Sequence, residues 1–112
     1  MEIKAIAKDS GLPARKVRLL VDMVRGKKVE EALTILKFTP TPMARVVAKV
    51  VKSAVANAEN NFQMSPSDLR IVKAFADEAR TLKRHRARSR GRVSPILKRS
   101  SHITVVVAEQ EG

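Results

Sequence analysis

The side chains here with the most specific chemistry are arginines. Arg84, Arg86, Arg88, Arg90 and Arg92 recur at every second position, and on an extended strand that spacing puts five guanidiniums on one face. A guanidinium is a planar, permanently charged fork that pairs with phosphate oxygens and stacks on bases. Residues 80–99 hold seven arginines and two lysines, namely Arg80, Lys83, Arg84, Arg86, Arg88, Arg90, Arg92, Lys98 and Arg99, and no acid. The rest of the chain has 14 of the 23 basic residues against all 11 acidic ones. The net charge of +12 is therefore concentrated on one segment, with a nearly balanced body beside it. Such a segment needs a polyanionic partner, and the bias to arginine favours nucleic acid over mere solubility.

Other chemistry is sparse. The histidines are His85, set among arginines, and His102, after Ser100 and Ser101. A Ser-Ser-His run does not by itself make a nucleophile–base pair, so both histidines read as hydrogen-bonding or nucleic-acid-contacting groups. The carboxylates are scattered, and Asp77 and Glu78 fall on opposite faces if a strand continues there. The four glycines are isolated and form no phosphate loop, and no spacing of His, Asp and Glu suggests a metal site. The expectation is a protein without enzymatic activity, metal, cofactor or small-molecule substrate. Three Phe with no Tyr or Trp are too few for a stacking platform of the single-strand-binding type. Structured RNA, held by charge and shape, is the expected partner.

The remaining pattern must supply a scaffold. One domain over 1–112 is expected, with a body of 1–78 and 102–112 and an arm of 79–101. Residues 2–8 alternate as a short strand with Ile3, Ala5 and Ala7 on one face. Pro13 suits a first helical turn, Val17, Leu20, Val21 and Val24 follow at helical spacing, and Gly26 suits the stop. A second helix is predicted over 29–38, opening on Glu30 and Glu31, where the helix dipole favours negative charge. Thr41 and Pro42 start the third and longest, over 42–60, whose valines and alanines form a core stripe.

Residues 69–77 read as a strand with Leu69, Ile71, Lys73 and Phe75 on one face and Arg70, Val72, Ala74 and Ala76 on the other. Residues 103–108 form another, and the two are predicted to pair antiparallel. The basic segment between them carries too much charge to be buried. If the strands continue into it, an arm of about 30 Å results, with Gly91 near its tip. An arm of that composition is expected to order fully only on its partner. The fold class is thus α+β: three helices packed on a small antiparallel sheet, with a long protruding basic β-hairpin.

Two other readings have sequence support. The first two helices and their short turn have a helix-turn-helix outline, but Glu30 and Glu31 would sit where DNA contacts are expected. A DNA-architectural protein is the related alternative. A membrane-surface peptide needs an amphipathic basic helix, whereas the densest basic segment contains Gly91 and Pro95. No apolar run approaches the roughly 18 residues of a membrane span. The absence of cysteine and of a secretion-type N-terminus fits the cytoplasm.

Several stretches resemble the bacterial large-ribosomal-subunit protein family numbered twenty-two, over nearly the whole chain. They are Pro13-Ala14-Arg15-Lys16-Val17-Arg18, Arg25-Gly26-Lys27, Val29-Glu30-Glu31-Ala32 and the Lys52-Ser53-Ala54-Val55-Ala56-Asn57-Ala58-Glu59-Asn60-Asn61 run. Nearer the C-terminus come Thr81-Leu82-Lys83-Arg84, Arg88-Ser89-Arg90-Gly91-Arg92 and, most specifically, Lys98-Arg99-Ser100-Ser101-His102-Ile103-Thr104-Val105. The family's usual Gly-Pro is here Ala79-Arg80, its Pro is Ala87, and its Ser before Pro13 is Leu12, which implies a weaker cap on the first helix.

The resemblance implies a body near the outer end of the nascent-peptide tunnel and a hairpin threaded through 23S-type large-subunit rRNA. Residues 83–98 would form the hairpin's far part. Arg86, Ala87, Arg88, Ser89, Arg90, Gly91 and Arg92 would form a tip lining the tunnel. Arg15, Lys16 and Arg18 on the body, with Lys83, Arg84, Arg86, Arg88, Arg90, Arg92, Lys98, Arg99 and His102, would contact rRNA. Neighbouring ribosomal proteins and the nascent polypeptide would be further partners, in a cytoplasmic, ribosome-bound protein. Family members act early in subunit assembly, and changes near the tip alter macrolide sensitivity.

Overall fold

Alternation of small apolar and charged residues makes the first strand, β1 (Glu2–Ala7), which buries Ile3 and Ala5 and exposes Glu2 and Lys4. The computed structural model describes residues 2–8, 10–79, 82–87 and 93–109, and for 82–87 and 93–98 the backbone alone. β1 runs antiparallel to β5 (Ser101–Glu109), with Ile3 opposite Val107 and Ala5 opposite Val105. β2 (Leu69–Glu78) lies antiparallel on the other side of β5, giving the order β1-β5-β2. The predicted pairing of the two strands that flank the basic segment is thus the pairing observed.

Three helices cover one face of this sheet: α1 (Ala14–Val24), α2 (Val29–Lys37) and α3 (Pro42–Phe62). Pro13 stands just before α1, and its carbonyl accepts from the N–H groups of Lys16 and Val17, each at 3.2 Å. No side chain caps this helix, because its N-cap position is held by Pro13 itself, one residue after Leu12. Thr41 caps α3 by accepting from the Met43 N–H at 3.4 Å, and Pro42 occupies the first turn. α3 runs to Phe62 rather than to 60 and stops where Gln63 turns left-handed at φ 53°.

The core between helices and sheet is built from branched and small residues: Val17, Val21 and Val24 of α1, Val47, Val51, Ala54 and Ala58 of α3, and Ile71, Ile103, Val105 and Val107 of the sheet. Each buried valine contributes about 1.5–3 kcal/mol of transfer free energy. No phenylalanine takes part. Phe38 is 75% exposed, Phe62 47% and Phe75 40%.

β2 departs from the expected alternation. Ile71 pairs with Val107 but Lys73 pairs with Val106, so Val72 is an extra residue, a β-bulge. The inward set is therefore Leu69, Ile71, Ala74 and Ala76, while Val72, Lys73 and Phe75 are exposed. A strand without the bulge would carry the Lys73 ammonium into the core, at a cost no local propensity offsets.

β2 is also an edge strand, and several of its outer backbone groups find individual partners. Gly26 N–H donates to Ile71 O and Ile71 N–H to Lys27 O, both at 2.9 Å. Gly26 reaches this position with φ +80°, a conformation that costs other residues about 1–2 kcal/mol. Further along, Arg25 Nη2 and Nε donate to Ala74 O at 2.7 and 3.0 Å, and Arg18 Nε donates to Ala76 O at 3.0 Å. Small side chains at 74 and 76 let α1 lie close enough for its arginines to reach those carbonyls.

Beyond the body, β3 (Leu82–Ala87) and β4 (Val93–Lys98) pair antiparallel, from Leu82 opposite Lys98 to Ala87 opposite Val93. Two paired strands of that length run about 20 Å. The chain measures 66 × 26 × 18 Å with a radius of gyration of 17.1 Å, against about 13 Å for a compact domain of this length. The excess is the protruding hairpin.

Candidate nucleic-acid interface

The hairpin grows out of β2 and β5, and its root is held by two consecutive serines. Ser101 is fully buried and donates its hydroxyl to Leu12 O at 2.8 Å, while the Ser10 and Ser101 hydroxyls lie 3.0 Å apart. Ser10 N–H donates to Ser101 O at 2.9 Å, and Gly11 N–H to the Ser100 hydroxyl at 3.0 Å. Opposite them, Ala79 N–H donates to Ser100 O at 3.0 Å. Glu78 pairs with Ser101 and Leu82 with Lys98. Three residues thus separate these pairs on one strand and two on the other, a one-residue register change at the root.

This clamp joins the hairpin to the 10–12 loop that leads into α1. Arg15, Lys16 and Arg18 are exposed on the first turns of that helix, and Arg99 is exposed at the root itself. His102 is half-buried, opposite Asp77. Five of the residues proposed from sequence, Arg15, Lys16, Arg18, Arg99 and His102, therefore belong to the root and the helix clamped to it. One Arg18 hydrogen bond goes to β2, so part of its guanidinium is committed to the fold and the rest faces outward.

Lys83, Arg84 and Arg86 lie in β3 and Lys98 in β4. Ala87 ends β3, opposite Val93. Arg88, Ser89, Arg90, Gly91 and Arg92, most of the tip expected from sequence, lie outside the described residues, and with them most of the arginine comb.

Among the described residues no cluster of His, Asp and Glu could hold a metal, and no helix is long and apolar enough to cross a membrane. The helix-turn-helix outline also fails on geometry. Residues 26 and 27 are hydrogen-bonded to β2, and α2 opens on exposed Glu30 and Glu31.

Two sets of residues escaped the sequence reading. Nothing local marks Arg25 as the ligand of a carbonyl 49 positions away. Arg45, Lys49 and Lys52 do carry a signal, because positions four and seven apart share a helix face, but the apolar stripe of the same helix obscures it.

The family model of ribosomal protein L22p/L17e matches residues 5–108. Large ribosomal subunit protein uL22 of Dehalococcoides mccartyi is 71% identical over 109 residues, covering 97% of this chain and 100% of the relative. The uL22 proteins of Pediococcus pentosaceus and Ligilactobacillus salivarius are 60% and 58% identical, covering 97% and 94% of this chain and 93% and 91% of theirs. With the three-helix body, the hairpin and these similarities together, the chain belongs to the ribosomal protein L22p/L17e family.

Proposed function

We propose that this chain is a structural, rRNA-binding protein of the large ribosomal subunit. The observation that carries the proposal is the placement of nine cations and no acid over 80–99, a segment whose strands pair outside the core and whose root is clamped to the cationic first turns of α1. The body is a base, and the hairpin neutralises phosphates that would otherwise repel as rRNA segments converge. This role explains why the charge is segregated: the arm needs no core, and the core tolerates no such charge.

The finer assignment is that the tip, Arg86 to Arg92, lines the nascent-peptide tunnel, with neighbouring ribosomal proteins and the emerging polypeptide as further partners of a cytoplasmic, ribosome-bound protein that joins early in subunit assembly. It rests on family membership and on the length of the hairpin.

The test is a salt-titrated competition between large-subunit rRNA fragments and duplex DNA of equal charge. About six to eight phosphate contacts give a log–log salt slope of about −4 to −7, depending on strandedness. A preference for rRNA that survives near-physiological salt supports the proposal. Equal binding to both, or a slope near −1, contradicts it.

A further inference from the structure

A second cationic surface lies away from the hairpin, in the groove between α2 and α3. It is lined by Lys37 at the end of α2 and by Arg45, Lys49 and Lys52 along α3, together with the threonines and prolines of the connection, and no acid lines it. All four cations are exposed, and none forms an ion pair among the described residues. Arg45, Lys49 and Lys52 span about 10 Å of one helix face. The capped N-terminus of α3, at Thr41, opens into the same groove and adds the positive end of its dipole.

Beside Lys37 stands Phe38. Its ring is 75% exposed, and Lys37 Nζ lies 5.8 Å from the ring centroid. A large aromatic ring is thus left mostly in water beside one of the groove's cations. The open face of the sheet offers no comparable site, because its charges are mixed: Glu2 pairs with Lys73 there, and Asp77 stands opposite His102.

We propose that the α2–α3 groove is a second RNA-binding surface, taking the phosphates of one RNA strand on Lys37, Arg45, Lys49 and Lys52 and an unpaired base on Phe38. The inference rests on the rRNA-binding reading and extends it to a face that the hairpin does not reach. A protein built this way holds two RNA segments at once, one along the arm and one across the body.

The test uses the full chain, as wild type, as Arg45→Gln/Lys49→Gln/Lys52→Gln and as Phe38→Ala, each titrated with salt against large-subunit rRNA fragments and duplex DNA. All four positions are exposed, so the fold should survive, and circular dichroism verifies it. The triple variant is expected to flatten the log–log slope by about 2 to 3. Phe38→Ala is expected to keep the wild-type slope and bind rRNA about ten-fold more weakly. A wild-type slope and affinity in the triple variant, with the rRNA preference intact, overturns the groove and leaves the proposed function standing. An undiminished affinity in Phe38→Ala overturns the stacked base. Loss of the rRNA preference in the wild-type chain overturns both readings.

Discussion

Arg18 Nε donates to the carbonyl of Ala76, 58 positions later, at 3.0 Å. About two helical turns further on, Arg25 donates twice to Ala74 O. An arginine of α1 and the one that caps its C-terminus thus cover the open edge of the strand that leads into the hairpin. An exposed edge is a template for unwanted strand pairing, and here the helix covering the core also blocks that edge.

The two halves of an arginine's role at this edge can be separated. Arg18→Lys keeps the charge and loses the planar fork, so about 1 kcal/mol of stability should be lost with little change in the salt slope of rRNA binding. Arg25→Ala should cost about 1–2 kcal/mol. The 2.8 Å ion pair between Arg25 and Asp22 is half-exposed and adds little, so Asp22→Asn should stay within about 0.5 kcal/mol of wild type. Urea unfolding distinguishes these outcomes. An Asp22→Asn loss as large as that of Arg25→Ala would show the ion pair, not the carbonyl, to be the source.

Ser101→Ala removes a fully buried hydroxyl and leaves Leu12 O without its donor. The expected cost is about 1–3 kcal/mol. Amide exchange should quicken at Ser10 and Gly11, whose N–H groups bond to the two root serines, while exchange in the middle of α3 stays slow. Uniform acceleration across the body would place Ser101 in the general core rather than in a local clamp.

The bulge at Val72 makes a two-sided prediction. Val72→Thr is a substitution at an exposed position and should change stability by less than about 0.5 kcal/mol. Deleting Val72 removes only the extra residue, so Lys73 stays opposite Val106 and Ala74 opposite Val105 with the inward set unchanged, and the loss should stay below about 2 kcal/mol. A deletion variant that loses more than about 3 kcal/mol would show that the local twist of the bulge is itself required for packing.

Replacing residues 83–98 with a short turn should leave the body folded, because the core comes entirely from β1, β2, β5 and the helices. Most rRNA affinity and most of the salt slope should disappear. In the intact chain free of RNA, amides of the hairpin should exchange faster than those of β5, consistent with an arm that its partner orders. A truncated chain that unfolds, or one that binds rRNA as tightly as before, is the contrary result.

The elements were legible in the sequence because each depends on local pattern. The 3.6-residue stripe of α3, the Thr41-Pro42 start and the alternation of β1 involve neighbours within a few positions, and the structure reproduces them to within two residues. The hairpin was legible for the opposite reason, since nine cations in 20 residues cannot enter any core. Much of the candidate site was visible in the same charge pattern.

Tertiary structure decided the rest, where sequence alternatives were close in local energy. Along 69–77, Ala74 and Ala76 compete with Lys73 and Phe75 for the inner face, and only α1 packing on β2 selects the alanines and the bulge at Val72. The serines of the Lys98-Arg99-Ser100-Ser101-His102 run became a clamp only because β5 carries them against the 10–12 loop. Arg18 and Arg25 acquired carbonyl partners, and Lys37 and Arg45 acquired a shared groove, through contacts that the chain makes only once helices and sheet have docked. Local periodicity and charge determined which segments fold and which protrude, whereas the faces, edges and joints were set by long-range packing, because their energies exist only between parts of the chain that folding brings together.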